Sequence, residues 1–215
     1  MARNKYPEET VNLILEVSSK LFIEKGYDET SIQDIIDQLG GLSKGAIYHH
    51  FKSKEEILLA VFDKIGTSVE PQMTKIRDDK NLNGMQKLRK MFASSLEEPE
   101  QMKMMAACPK LLDNPRLLAI HFSSTIEDTI PNYVEPVVQE GVADGSIQTD
   151  YPKELAQFII WMTNFWMNPL VYTMTEEELG NKIGFITQVL DSMGIHVMDE
   201  ALTNRIQKMR ELIKK

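Results

Sequence analysis

Apolar residues recur at Val11, Ile14, Leu15, Leu21 and Phe22, the spacing of one helical face, and Gly26 follows the last turn as a stop. A second helix is predicted with Ile32, Ile35, Ile36 and Leu39 on its buried side, ended by Gly40 and Gly41. Thr30 with Gln33, or Ser31 with Asp34, has the spacing to cap it. Ser43 is placed to cap a third helix from Lys44 to Phe51, and Ser53 with Glu56 forms a capping box for a fourth that begins at Lys54. Beyond Gly66 the pattern stays helical without strand-like alternation, predicting helices over 83–97, 100–112, 115–143, 152–172, 175–193 and 197–214. Prolines at 71, 99, 109, 115, 131, 136, 152 and 169 mark their ends or kinks, and 143–151 is the clearest loop. The fold class is therefore all-α: an N-terminal three-helix helix-turn-helix domain (1–53), a linking helix (54–78) and a larger helical domain (79–215).

The pattern is that of a packed globular chain, and 215 residues with 42% hydrophobic and 26% charged composition agree with it. A net charge of −8 excludes a polybasic surface that would bind RNA or anionic membranes without discrimination. Any contact with nucleic acid must be local. The segment 38–53 contains Lys44 and Lys52 and no acid, Lys54 follows at once, and the acids of the first 66 residues lie on either side. A basic tip on an acidic module favours one docking face. Ser43 at the helix start and the bare Gly45 near the first turn let backbone N–H groups approach a phosphate, and Lys44 and Lys52 can neutralise phosphates.

The run TSIQDIIDQLGGLSKGAIYHHFKSKEEIL resembles the DNA-binding signature of the TetR family of transcriptional regulators, over roughly residues 7–64. The stretch from Leu39 to Leu42 carries one residue more than the turn such proteins usually have. The resemblance implies that Gln33, Lys44, Gly45, Ala46, Tyr48, His49 and Lys54 fall where family members touch DNA, with Gln33 and Lys44 as base readers. It also implies a homodimer on a palindromic double-stranded operator, and a small-molecule effector that releases a repressor from it. The alternative is a helical interaction protein whose helix-turn-helix has lost DNA binding.

The remainder is read more coarsely. Leu179, Ile183, Ile186, Leu190 and Met193 form a narrow seam, and Leu155, Phe158, Ile159, Met162, Phe165 and Trp166 a broader face on the preceding helix. These two helices are expected to pair with their symmetry mates as a four-helix bundle. Met102, Met105, Cys108, His121, Phe122, Trp161, Asn164 and Phe165 are the candidate effector contacts, an adaptable apolar wall with few polar anchors that suits a hydrophobic or planar ligand. Trp161 and Trp166, five apart, cannot share a narrow stripe, so one of them at most faces such a site.

No nucleophile with a base, histidine pair at metal-ligand spacing or phosphate loop is present, so neither an enzyme nor a cofactor or metal site is expected. Cys108 is the single cysteine and cannot form an internal bridge, the start lacks the apolar stretch of a signal peptide, and the most apolar segment is interrupted by polar residues. A cytoplasmic protein without a membrane partner is expected.

Overall fold

The computed structural model describes residues 7–42, 44–95, 104, 107, 111–168, 170–172, 174–200 and 202–206, and among these it is helical without strands. Two compact units are formed, Met1–Val69 with Lys103–Pro109, and Glu70–Met102 with Lys110–Lys215.

In the first unit α1 (Pro7–Lys25), α2 (Ile32–Gln38), α3 (Lys44–His50) and the start of α4 (Lys54–Arg77) enclose Ile14, Phe22, Ile35, Ile47, Ile57 and Leu58, each fully buried. Two caps were open for α2, and Ser31 takes the position. Its hydroxyl accepts from the Asp34 N–H while Asp34 accepts from the Ser31 N–H. Thr30 is instead buried, donating to the Gly26 carbonyl at 2.8 Å and closing the turn after α1. The α4 cap is a variation on the expected box. Ser53 Oγ accepts from the Glu56 N–H, but Glu56 reaches back one residue further and takes the N–H of Lys52 at 2.7 Å. Gly40 and Gly41 have φ of +60° and +118°, and two consecutive residues take that conformation between α2 and α3 at low steric cost only because both lack a Cβ.

In the second unit α5 (Gly84–Ser95) lies against α7 (Glu135–Asp144). The approach is close enough that a Cβ on Gly84 would stand 2.3 Å from the backbone of Gly141. Beside this crossing the fully buried Lys87 ammonium donates to both oxygens of Glu140, at 2.7 and 2.6 Å. Glu140 is itself partly exposed, which keeps the charge pair in touch with water. The helix predicted over 115–143 is present but not uniform: α6 (Pro115–Ser124) passes into a π-helical stretch, Thr125–Val134, before α7. Pro131 lies inside that stretch, where its missing N–H removes one rung of an α-helical ladder.

The helix predicted over 152–172 stops earlier. α8 (Pro152–Trp161) runs into a second π segment, Met162–Trp166, and ends there. The Asn168 side chain replaces the next turn, Nδ2 donating to the Asn164 carbonyl and Oδ1 accepting from the Leu170 N–H. α9 (Glu176–Ser192) begins at a Thr175–Glu178 capping box. The segment predicted to be helical from 197 starts instead after Asp199, whose carboxylate accepts from the Leu202 N–H and so acts as the N-cap, with Val197 buried in non-helical chain.

The apolar seam on α8 and α9 needs a correction. Leu155, Ile159, Ile186 and Leu190 lie in the core of the single chain, together with Leu88, Val137, Val138 and Ile147. Periodicity identifies a face that must be covered, and here the chain's own helices cover it. Phe158, Met162 and Ile183 pack partly exposed at the edge of that core, and Leu179 is partly exposed on α9. No described helix is long and apolar enough to cross a membrane.

Candidate DNA-binding and effector-binding sites

α3 is a two-turn helix with one side anchored and the other open. Ile47 is fully buried and Phe51, just past the helix end, nearly so, which leaves Lys44, Gly45, Tyr48 and His49 exposed and Ala46 half-buried. Tyr48 is 43% exposed, far more than a packing residue needs, and the Lys44 ammonium stands 5.8 Å from its ring centroid. The pair therefore presents a cation, a phenol hydroxyl and a bare glycine backbone together, a set of donors suited to phosphate oxygens and base edges. Ser43 lies outside the described residues. The adjacent His49 and His50 rings meet edge to face at 5.1 Å, and no cluster of metal-ligating side chains occurs among the described residues.

Other expected contacts have local partners. Gln33 is exposed on α2, but its Nε2 donates to Asp37 at 2.8 Å, so reading a base requires that bond to open. Lys52 is exposed. Lys54 is not a free cation: its ammonium donates to the Tyr27 carbonyl at 2.6 Å and the Asp28 carbonyl at 3.2 Å, and lies 4.2 Å from the Tyr27 ring centroid. It thereby ties the start of α4 to the turn between α1 and α2. On that turn, the Tyr27 N–H also donates to the Ala107 carbonyl at 3.0 Å, a contact no sequence spacing announces. At the start of α2, Asp34 accepts from Lys25 at 2.8 Å and from Ser31. The Lys25 ammonium, with the Ser31 hydroxyl and N–H, holds the Asp34 carboxyl well below the usual carboxylate range.

In the second unit five of the eight candidate effector residues come together. Phe122 on α6 stacks at 4.3 Å from Phe165 and 5.3 Å from Trp161, Trp161 lies 4.5 Å from Phe165, and the His121 imidazole 5.0 Å from Phe165. Phe122 remains 36% exposed, and Ile126, one helical turn on, is also exposed, so the ring cluster opens to the surface instead of closing into the core. Trp166, by contrast, packs on the core, meets Phe185 edge to face at 5.8 Å and receives the Lys182 ammonium on its ring at 4.9 Å. Met102, Met105 and Cys108 lie outside the described residues.

The fifth member, Asn164, acts through its backbone. In the π turn Met167 N–H donates to Met162 and Asn168 N–H to Phe165, leaving the Asn164 carbonyl for side chains. Asn168 Nδ2 takes it at 2.9 Å, and His121 Nε2 lies 3.3 Å from it. A carbonyl accepts only, so Nε2 carries the proton and Nδ1 holds the lone pair. Burial pushes the His121 imidazole below its ordinary pKa, against a weaker upward pull from that carbonyl, and keeps it neutral near pH 7.

Comparison with known proteins agrees with the geometry of the first unit and with the whole fold. Residues 14–61 match the model of bacterial regulatory proteins, tetR family. The chain is 28% identical over 189 residues to the HTH-type transcriptional repressor KstR2 of Mycolicibacterium smegmatis, covering 81% of this chain and 89% of that protein. It is 24% identical over 195 residues to the repressor DhaR of Mycobacterium sp. strain GP1, covering 84% and 90%. Among solved structures it superposes on a TetR-family regulator of Pectobacterium atrosepticum with a TM-score of 0.63 at 22% identity, covering 89% of this chain and 97% of the other. It superposes on Salmonella enterica GusR with a TM-score of 0.61 at 20% identity, covering 100% and 99%. Residues 14–61 thus carry a helix-turn-helix similar to that of tetR-family regulatory proteins, and over most of its length the chain is similar to DNA-binding transcriptional repressors.

Proposed function

We propose that the chain is a homodimeric repressor that holds a palindromic operator through α3 and leaves it when a small hydrophobic or planar effector binds in the second unit. The single observation that carries the DNA half of the reading is the exposed Lys44–Tyr48 face of a helix anchored by Ile47. Lys44, Tyr48 and the backbone at Gly45 and Ala46 contact the major groove, His49 and Lys52 the flanking phosphates, and Gln33 a base edge once released from Asp37. The repressors among its relatives support the sign of the regulation. The open cluster of Phe122, Trp161, Phe165 and His121 supports the effector half.

Labour divides between a DNA-binding domain (1–53), a linking helix (54–78) and an effector and dimerisation domain (79–215). A small helix-turn-helix gains affinity and half-site spacing by acting in pairs. Phe185 on α9, 58% exposed, and the partly exposed Leu179 and Ile183 on the same helix provide apolar surface for the second copy. Effector and operator are linked by reciprocity: a ligand that favours a dimer of the wrong α3 spacing weakens DNA binding by the factor by which DNA weakens its own, typically about 1–3 kcal/mol.

Selection of random duplex DNA by the purified protein at moderate, stated salt, followed by sequencing, tests this reading, because background phosphate binding falls steeply with salt. A palindrome with half-sites about one helical turn or more apart is the expected result. No enrichment by a folded dimer, with and without a library of ring compounds, would leave a helical interaction protein as the better description.

A further inference from the structure

The ring cluster is more than an apolar patch, because one of its members is a polar atom of fixed character. The Asn164 carbonyl is released by the π turn and meets His121 Nε2, so the imidazole is held as the tautomer with its proton on Nε2. Nδ1 is then an acceptor. The three carbon rings around it, at 4.3–5.3 Å from one another, present faces and edges to a flat partner. Aromatic faces carry negative potential, and the ring contacts among the described residues bring no cation to this cluster, so an anionic group is disfavoured here. The Lys182 ammonium is engaged with Trp166, Tyr172 and the Trp166 carbonyl.

Resting on the effector reading above, we infer that the site takes a planar ring compound that carries a hydroxyl or amino hydrogen-bond donor and no carboxylate, its ring on Phe122, Trp161 and Phe165 and its donor on His121 Nδ1. The donor requirement is what distinguishes this site from a generic apolar pocket. A ligand of the same shape without the donor leaves Nδ1 without a partner in a half-buried setting, and discrimination comes from that loss.

Isothermal titration calorimetry of the full-length protein at pH 7.5 with 2-naphthol, 2-methoxynaphthalene and 2-naphthoate tests the inference. The three share one ring system and differ in a donor, a capped donor and an anion. The expected result is ~tenfold tighter binding of 2-naphthol than of 2-methoxynaphthalene, the scale of one hydrogen bond, with 2-naphthoate weakest. In His121→Phe, which keeps a ring and removes the acceptor, the two neutral compounds should bind alike. If that variant does not fold, the 15N shift of His121 Nδ1 in the wild-type protein supplies the same test, since it must move on adding 2-naphthol and not on adding the methyl ether. Equal binding of the two neutral compounds to the wild type, or tightest binding of 2-naphthoate, overturns the ligand class and leaves the effector site standing. Failure of all three to bind a folded protein that still binds its operator overturns both.

Discussion

At the scale of single residues, the proposed recognition face depends on Lys44 and Tyr48, which are exposed on a helix whose packing is carried by others. Lys44→Ala should weaken operator binding across sequences and lower the slope of log affinity against log salt by about 1, with an unchanged circular dichroism spectrum. Tyr48→Phe should cost about 1 kcal/mol of binding if its hydroxyl meets a phosphate. Full retention of operator binding in both variants would remove α3 as the reading helix. Ser31→Ala, which deletes the α2 cap, should lower folding stability by ~1 kcal/mol in chemical denaturation. His121 carries a pH signature. Its folded pKa lies below the ordinary 6.5, so below that pH the unfolded chain binds more protons than the folded one. Stability should therefore fall as pH drops below 6.5 and level off beneath the folded midpoint. An NMR titration of the imidazole locates that midpoint, and one at or above 6.5 would contradict the buried, neutral assignment.

At the scale of elements, the locally encoded features were legible. Caps and glycine stops lie within four residues of the groups they serve, which is why α1 to α4 and the loop after α7 follow from spacing alone. What spacing could not supply comes from partners distant in sequence. The α5–α7 crossing depends on Gly84 and Gly141, 57 positions apart by their numbers, and neither glycine sits where a turn demands one. Gly84→Ala should destabilise by about 1–3 kcal/mol, because the atoms in its way are backbone and cannot rotate aside. A thermal melt indistinguishable from that of the parent would mean that the two helices separate at little cost. The π turns are a second example. Hydrophobic periodicity near 3.6 does not separate an α-helix from one with an inserted residue, and the Asn164 carbonyl, already bonded by Asn168 Nδ2, meets His121 only because α6 brings the imidazole to it.

At the scale of the whole molecule, the proposed regulation requires the second unit to bias the first, and α4 is the one described helix whose residues are shared between them. Pro71 lies inside it. Pro71→Ala should alter the effector concentration needed for release more than operator affinity without effector, measured by fluorescence anisotropy of labelled operator. Equal changes in both quantities would remove Pro71 from the coupling. Phe185→Glu should shift the protein towards monomer in analytical ultracentrifugation, because it puts a charge in the exposed apolar face of α9. An unchanged dimer would place the interface elsewhere.

The amino-acid sequence by itself determined the all-helical class, the stops of α1 and α2, the span of α3 and the start of α4, because these rest on interactions between near neighbours and on a helical period visible in any window. Tertiary structure alone decided which body covers each apolar face. It sent Leu155, Ile159, Ile186 and Leu190 into the chain's own core, engaged Lys54 with the Tyr27 turn, and gathered His121, Phe122, Trp161 and Phe165 into one cluster. A face that must be buried looks the same in sequence whether its partner is the same chain, a second copy or a ligand. Only the positions of the other helices in space tell them apart.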